Sequence, residues 1–168
     1  MLVRAALLAA VLAPAGGGGP LMAAASPEPR VTGRLEADPQ SGRSYVRFTL
    51  CNETDAAVAV LRWYTPFEGF FGDVFAVTRE DGAAVAYRGP MAKRGDPERS
   101  SYLVLEPREC RSVSIDVSRA YSLGAGAYSV RFERGLSDVA PVGQFPRPRD
   151  RHQALPLSCG PVTLRPQR

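Results

Sequence analysis

Side chains able to do acid–base, nucleophilic or metal chemistry are few in these 168 residues, and their spacing suits none of it. There is a single histidine, His152. A zinc site of the H-E-x-x-H kind needs two imidazoles one helical turn apart, so it is excluded. A Ser-His-Asp or Cys-His relay would have to recruit His152, which sits in a Pro- and Arg-rich stretch with nothing beside it to orient the ring. A solvated loop histidine is the expectation. Cys51, Cys110 and Cys159 lack the C-x-x-C spacing of a structural zinc site. Glu68 and Asp73 would make an acid–base pair only if the fold brought them together, and capping of turns is the plainer role. No glycine-rich phosphate loop opens a helix. Neither catalysis nor a metal or cofactor is expected.

Binding is better served. Residues 61–95 hold the only tryptophan, four of the seven phenylalanines and the only lysine. Trp63, Tyr64, Phe67, Phe70, Phe71 and Phe75 supply large apolar area of the kind that dominates cores and interfaces. Thr65-Pro66 stops a strand, because proline has no N–H for a ladder. Gly69 and Gly72 let the chain fold back sharply. Trp63 and Phe75 are expected in the core. The candidate partner-binding surface is residues 64–71 with 88–95, carried by Tyr64, Phe67, Phe70, Phe71, Met91, Lys93 and Arg94.

These residues must be positioned by short strands. Residues 44–50 place Tyr45, Arg47 and Thr49 on one face and Val46, Phe48 and Leu50 on the other, the period of a half-buried strand. Similar windows fall at 31–37, 57–64, 73–78, 83–88, 102–105, 110–117, 127–133 and 162–164. Asp81-Gly82 marks a hairpin between the runs 73–78 and 83–88. No window keeps helical spacing, and residues 118–122 make one turn at most. The expected fold is all-β, an immunoglobulin-like antiparallel β-sandwich of about seven to eight strands. Residues 134–157 are rich in Pro and Arg, and composition there predicts a disordered loop.

Length and composition fit one domain, at 45% hydrophobic and 23% charged residues. The net charge of +4 comes from scattered arginines rather than one basic face, which argues against a nucleic-acid partner. Residues 1–25 read as an export signal: Arg4, the apolar run 5–13, and Ala23, Ala24 and Ala25 before a cut at Ser26, with Ala13-Pro14-Ala15 as a second cut site. The run is too short to span a bilayer. Residues 26–168 are then one secreted or periplasmic domain, in which three cysteines allow one disulfide in any of three pairings. Asn52-Glu53-Thr54 is an N-glycosylation sequence, relevant only in a eukaryotic source.

One set of motifs goes further than a generic sandwich. Leu61-Arg62-Trp63 precedes Thr65-Pro66-Phe67-Glu68-Gly69 and Gly72-Asp73-Val74-Phe75. Tyr87-Arg88-Gly89-Pro90-Met91 and Lys93-Arg94-Gly95 follow, then Ile115-Asp116-Val117-Ser118 with Tyr121. Over residues 31–132 this order resembles the N-terminal β-sandwich found ahead of the catalytic domain in bacterial relatives of the deuterolysin and peptidyl-Lys metalloendopeptidase family. The zinc domain of those enzymes has no counterpart in this sequence, so no catalytic residue carries over. The resemblance implies a free-standing leading domain that binds a secreted zinc metalloendopeptidase as inhibitor or propeptide-like partner. A structural or adhesive envelope domain is the alternative, since β-sandwiches host many functions. A third reading has a spare thiolate ligating the partner's zinc. In an immunoglobulin-like strand order the end of the second strand lies beside Cys110, which selects Cys51–Cys110, although Cys159 could reach the same end.

Overall fold

Period-two burial runs through several of the strands that the apolar pattern marks, most clearly residues 45–52 and 128–132. The structure, a computed structural model, describes residues 30–166, so the expected export signal at 1–25 lies outside the described residues. In β1 (Val31–Ala37) and β2 (Tyr45–Asn52), Val31, Leu35, Val46, Phe48 and Leu50 point inward. The remaining strands are β3 (Val58–Leu61), β4 (Ala76–Arg79), β5 (Tyr102–Leu105), β6 (Cys110–Asp116), β7 (Tyr128–Phe132), β8 (Val139–Pro141) and β9 (Cys159–Leu164). The only helical segments described are single 3-10 turns, one of them at Val117–Arg119. No helix among the described residues is long and apolar enough to cross a membrane.

The fold is the expected all-β sandwich; the described residues form nine strands, against the seven to eight expected, in three antiparallel sheets: β1-β2-β6, β5-β3-β8 and β4-β7-β9. Phe48 of β2 meets Phe132 of β7 at 4.8 Å between ring centroids, so the first and third sheets share one core. Their edges close where β9 runs against β1. There a Cβ on Gly33 would lie 2.7 Å from Cys159 Sγ and 2.8 Å from a Leu157 methyl, which only glycine avoids. Cys51 and Cys110 are directly opposed in β2 and β6, 4.0 Å apart at Cα, and form the disulfide.

Three expectations are corrected. First, residues 134–157 are ordered rather than disordered. They contribute β8, an antiparallel bridge between Leu136 and Leu155, and a strap over the outer face of the β5-β3-β8 sheet. Phe145 on that strap packs with Ala59, Leu61, Trp63, Tyr102 and Ala140 in a second core. This is why every residue of β3 is buried. Second, residues 83–88 form no strand: after Gly82 (φ 84°) Ala84 bridges Thr78, and Tyr87 has already left to bridge Tyr121. β3 likewise ends at Leu61, because Thr65 turns back to bond the Arg62 carbonyl through both its N–H (3.0 Å) and hydroxyl (2.7 Å). Third, Asn52 is buried: its amide donates towards the carbonyls of Ala56, Leu105 and Glu106, and its oxygen accepts from Thr54. A glycan there is incompatible with this fold, since the nitrogen that would carry it is already shared among three acceptors.

Candidate partner-binding surface

Two loops, 62–72 and 88–96, come together beside the second core. Tyr64 takes a left-handed conformation (φ 59°), and Gly72 beneath it leaves no room for a side chain, because a Cβ would sit 2.7 Å from the Tyr64 ring. The Ala92 N–H donates to the Phe71 carbonyl at 3.0 Å. Arg94 locks the loops together from within: Nη2 donates to Glu68 Oε2 at 2.6 Å, both side chains being 15% exposed. Its guanidinium also lies 5.0 Å from the Trp63 ring centroid and 5.7 Å from that of Tyr64. Its Nε has no hydrogen-bond partner among the described residues, and the electron-rich ring faces stabilise the cation instead. The Arg134 guanidinium also lies over the Tyr64 ring, 4.6 Å from its centroid, while its Nη1 donates to the Asp73 carbonyl at 2.9 Å.

The seven candidate residues therefore separate into two groups. Tyr64 and Arg94 are half-buried in the stack just described. Phe67 turns its edge to Phe48 (5.9 Å), and Phe70 packs against Phe75 (6.2 Å) and Tyr121 (6.1 Å). Phe71 and Met91 face outward, 47% and 68% exposed, and are two of the three large hydrophobic side chains described as exposed. Lys93 is exposed beside them. The backbone hydrogen bond between Phe71 and Ala92 sets the Phe71 and Met91 positions on neighbouring strips of chain.

The groups with catalytic potential are committed elsewhere. Glu68 is held by Arg94, whereas Asp73 accepts from the Tyr121 hydroxyl at 2.6 Å, so the two carboxylates serve separate contacts. Burial first, and Asp73 second, push the Tyr121 hydroxyl well above its ordinary range. His152 is not the solvated side chain expected: it is half-buried, its ring 6.4 Å from that of Trp63 and its Nε2 3.2 Å from the Arg147 carbonyl. Among the described residues no three His, Cys, Asp or Glu side chains converge as a metal site. Cys159 is the free cysteine, 4% exposed, and burial pushes its thiol up to about 11. Both features count against a thiolate offered to a partner's zinc, because the sulfur is buried and burial disfavours its ionised form.

Sequence reasoning missed Asp138. It is fully buried and accepts from Tyr102 Oη (2.8 Å), Arg147 Nε (3.2 Å) and Nη2 (2.5 Å), and the Gln153 N–H (2.8 Å). Burial, with Asp138 alongside, raises the Tyr102 hydroxyl to about 12. Every donor reaching this carboxylate is fixed, so the cluster fastens the strap and has no acceptor left for chemistry. An open hollow of about 540 Å³ between residues 133–136 and 154–158 carries only Glu133 and Arg134 as charged groups.

No protein-family model matches the chain, and no curated protein matches it.

Proposed function

We propose that this protein is a non-catalytic, protease-associated binding module, exported to an extracellular or periplasmic space, with a secreted zinc metalloendopeptidase as its partner. The observation that carries the reading is the exposed pair Phe71 and Met91, held on two loops fastened to each other and to the core. Apolar side chains carried on fastened loops and left partly in water cost little backbone freedom on docking, and covering the part still exposed gives each of them about half to two-thirds of the roughly 1.5–3 kcal/mol of full burial before association costs. Lys93 supplies charge at the rim. The motif order over residues 31–132 supports the choice of partner, and the Cys51–Cys110 disulfide fits an oxidising compartment.

The test is direct binding of the protein to a purified deuterolysin-type zinc endopeptidase, measured by interferometry. Saturable binding is expected, weakened about tenfold or more in the double variant Phe71→Ser, Met91→Ser with an unchanged melting temperature. Absence of binding to such enzymes would overturn the reading. Undiminished binding by the double variant would remove this surface from it.

A further inference from the structure

β6 is an edge strand, paired on one side only. Its ladder with β2 is bracketed by bonds from the Asn52 N–H to the Glu109 carbonyl (2.9 Å) and from the Val117 N–H to the Ser44 carbonyl (3.0 Å). Hydrogen-bonded pairs recur at every second residue of an antiparallel ladder, so Arg111, Val113 and Ile115 turn their backbone groups to β2. Those of Cys110, Ser112 and Ser114, and the Asp116 N–H, turn the other way and have no hydrogen-bond partner among the described residues. The strand keeps unbroken register with β2 and contains no proline, glycine or lysine, while Cys110, Arg111, Ser112 and Ser114 are exposed. Folded proteins usually blunt such an edge with a bulge, a proline or a lysine. Other margins of this fold are covered. Gly33 of β1 lies against β9, Ala83 and Val85 bond along β4, and the Val139 N–H of β8 reaches the Gln153 carbonyl of the strap. The remaining edge, β5, is only four residues long.

We propose that β6 pairs antiparallel with β6 of a second copy of this chain, joining two three-stranded sheets into one across a two-fold axis at Val113. What selects a second copy is that the edge is its own complement. An axis normal to the sheet keeps each face on its own side, so Ser112 stands opposite Ser114 of the copy, Cys110 opposite Asp116, Arg111 opposite Ile115 and Val113 opposite itself. The outward N–H groups of Ser112, Ser114 and Asp116 then meet the outward carbonyls of Ser114, Ser112 and Cys110, about six bonds in all. No like charges oppose each other across the seam: Arg111 faces an isoleucine and is already held by its neighbour Glu109. The outer face continues in kind, since Ser112 already shares a hydrogen bond with Thr49 Oγ1 at 2.8 Å. On the inner face the half-buried Val113 covers its copy. Two edges joined this way use each other up, so assembly stops at the dimer. The pairing does not depend on the protease reading. It adds that each assembly carries two sets of the 62–72 and 88–96 loops, which raises avidity for any partner that meets both.

The experiment is sedimentation velocity of the protein alone, at concentrations rising to on the order of 0.1 mM, where mass action favours association. A reversible doubling of mass is expected. Ser112→Pro removes an N–H that faces away from β2 and should weaken the dimer about tenfold or more, whereas Ser112→Thr keeps it. Melting curves at low concentration, where the monomer prevails, should match for all three proteins. A second measurement fixes the register: on mild oxidation Val113→Cys should cross-link to its own copy, because residues opposed in a non-hydrogen-bonded pair lie about 4.5 Å apart at Cα, and Arg111→Cys should not. A monomer at every concentration overturns the proposal. So does a dimer undiminished by Ser112→Pro, or a Val113→Cys protein that cross-links no better than Arg111→Cys. None of these outcomes touches the protease-binding reading.

Discussion

Asp38 directly follows β1 and carries a carboxylate that is only 3% exposed. Ser114 (2.5 Å) and Ser41 (2.8 Å) donate to it, Arg47 lies 3.2 Å away, and together they hold its carboxyl down at about 2. A carboxyl depressed by folding favours the native state while ionised. Its contribution is therefore complete above about pH 4 and fades as the pH falls towards 2. Melting curves taken stepwise from neutral pH to about pH 2 should show Asp38→Asn already less stable at neutral pH, with a shallower acid decline than the unmodified protein. Parallel curves would mean that this carboxylate does not contribute. Nothing in the local sequence marks Asp38 for this role, since the Ser114 that depresses it lies 76 positions away. Asn52 taught the opposite lesson: three adjacent letters suggested a modification site, while its carbonyl partners Leu105 and Glu106 lie 53 and 54 positions off.

At the scale of elements, strands with one wet face were read well, because alternation registers there as period two. β1, β2, β6 and β7 fall within a residue or two of their expected bounds. β3 was a different case. Its burial on both faces depends on a strap contributed by residues far along the chain, and the run Ala57 to Leu61, apolar throughout, was the available sign. The strap itself looked disordered since its proline and arginine content is common in unstructured segments. What orders it is tertiary contact as well as its own clasp: Asp138 holds Arg147 within the strap and accepts from Tyr102 of β5, and Phe145 settles on Tyr102 with ring centroids 5.0 Å apart under the Arg99 guanidinium. Asp138→Ala should destabilise the fold by roughly 3–5 kcal/mol in urea titrations, because it strands the Arg147 charge in a buried place. The double replacement Asp138→Leu, Arg147→Met should recover much of that loss. No recovery would show that the charges themselves, and not merely their pairing, are needed.

For the whole molecule, the fold class was legible from the rhythm of strands and turns. The division into three sheets was not, because it depends on which edges meet. The candidate surface was half legible: composition located the loops, but only packing separates Phe71, Met91 and Lys93, which look outward, from Phe67, Phe70 and Arg94, which hold the loops up. Where β9 meets β1, Gly33 keeps two sheet margins in contact over the Cys159 sulfur. A methyl group added there by Gly33→Ala should pry that margin apart and let Ellman's reagent titrate a sulfur that resists it in the unmodified protein. An equally sluggish reaction in the variant would mean the margin yields elsewhere. The bareness of a single backbone position thus keeps one thiol out of reach of a second molecule: under air oxidation the Gly33→Ala variant is expected to show dimers on a non-reducing gel before any loss of shape.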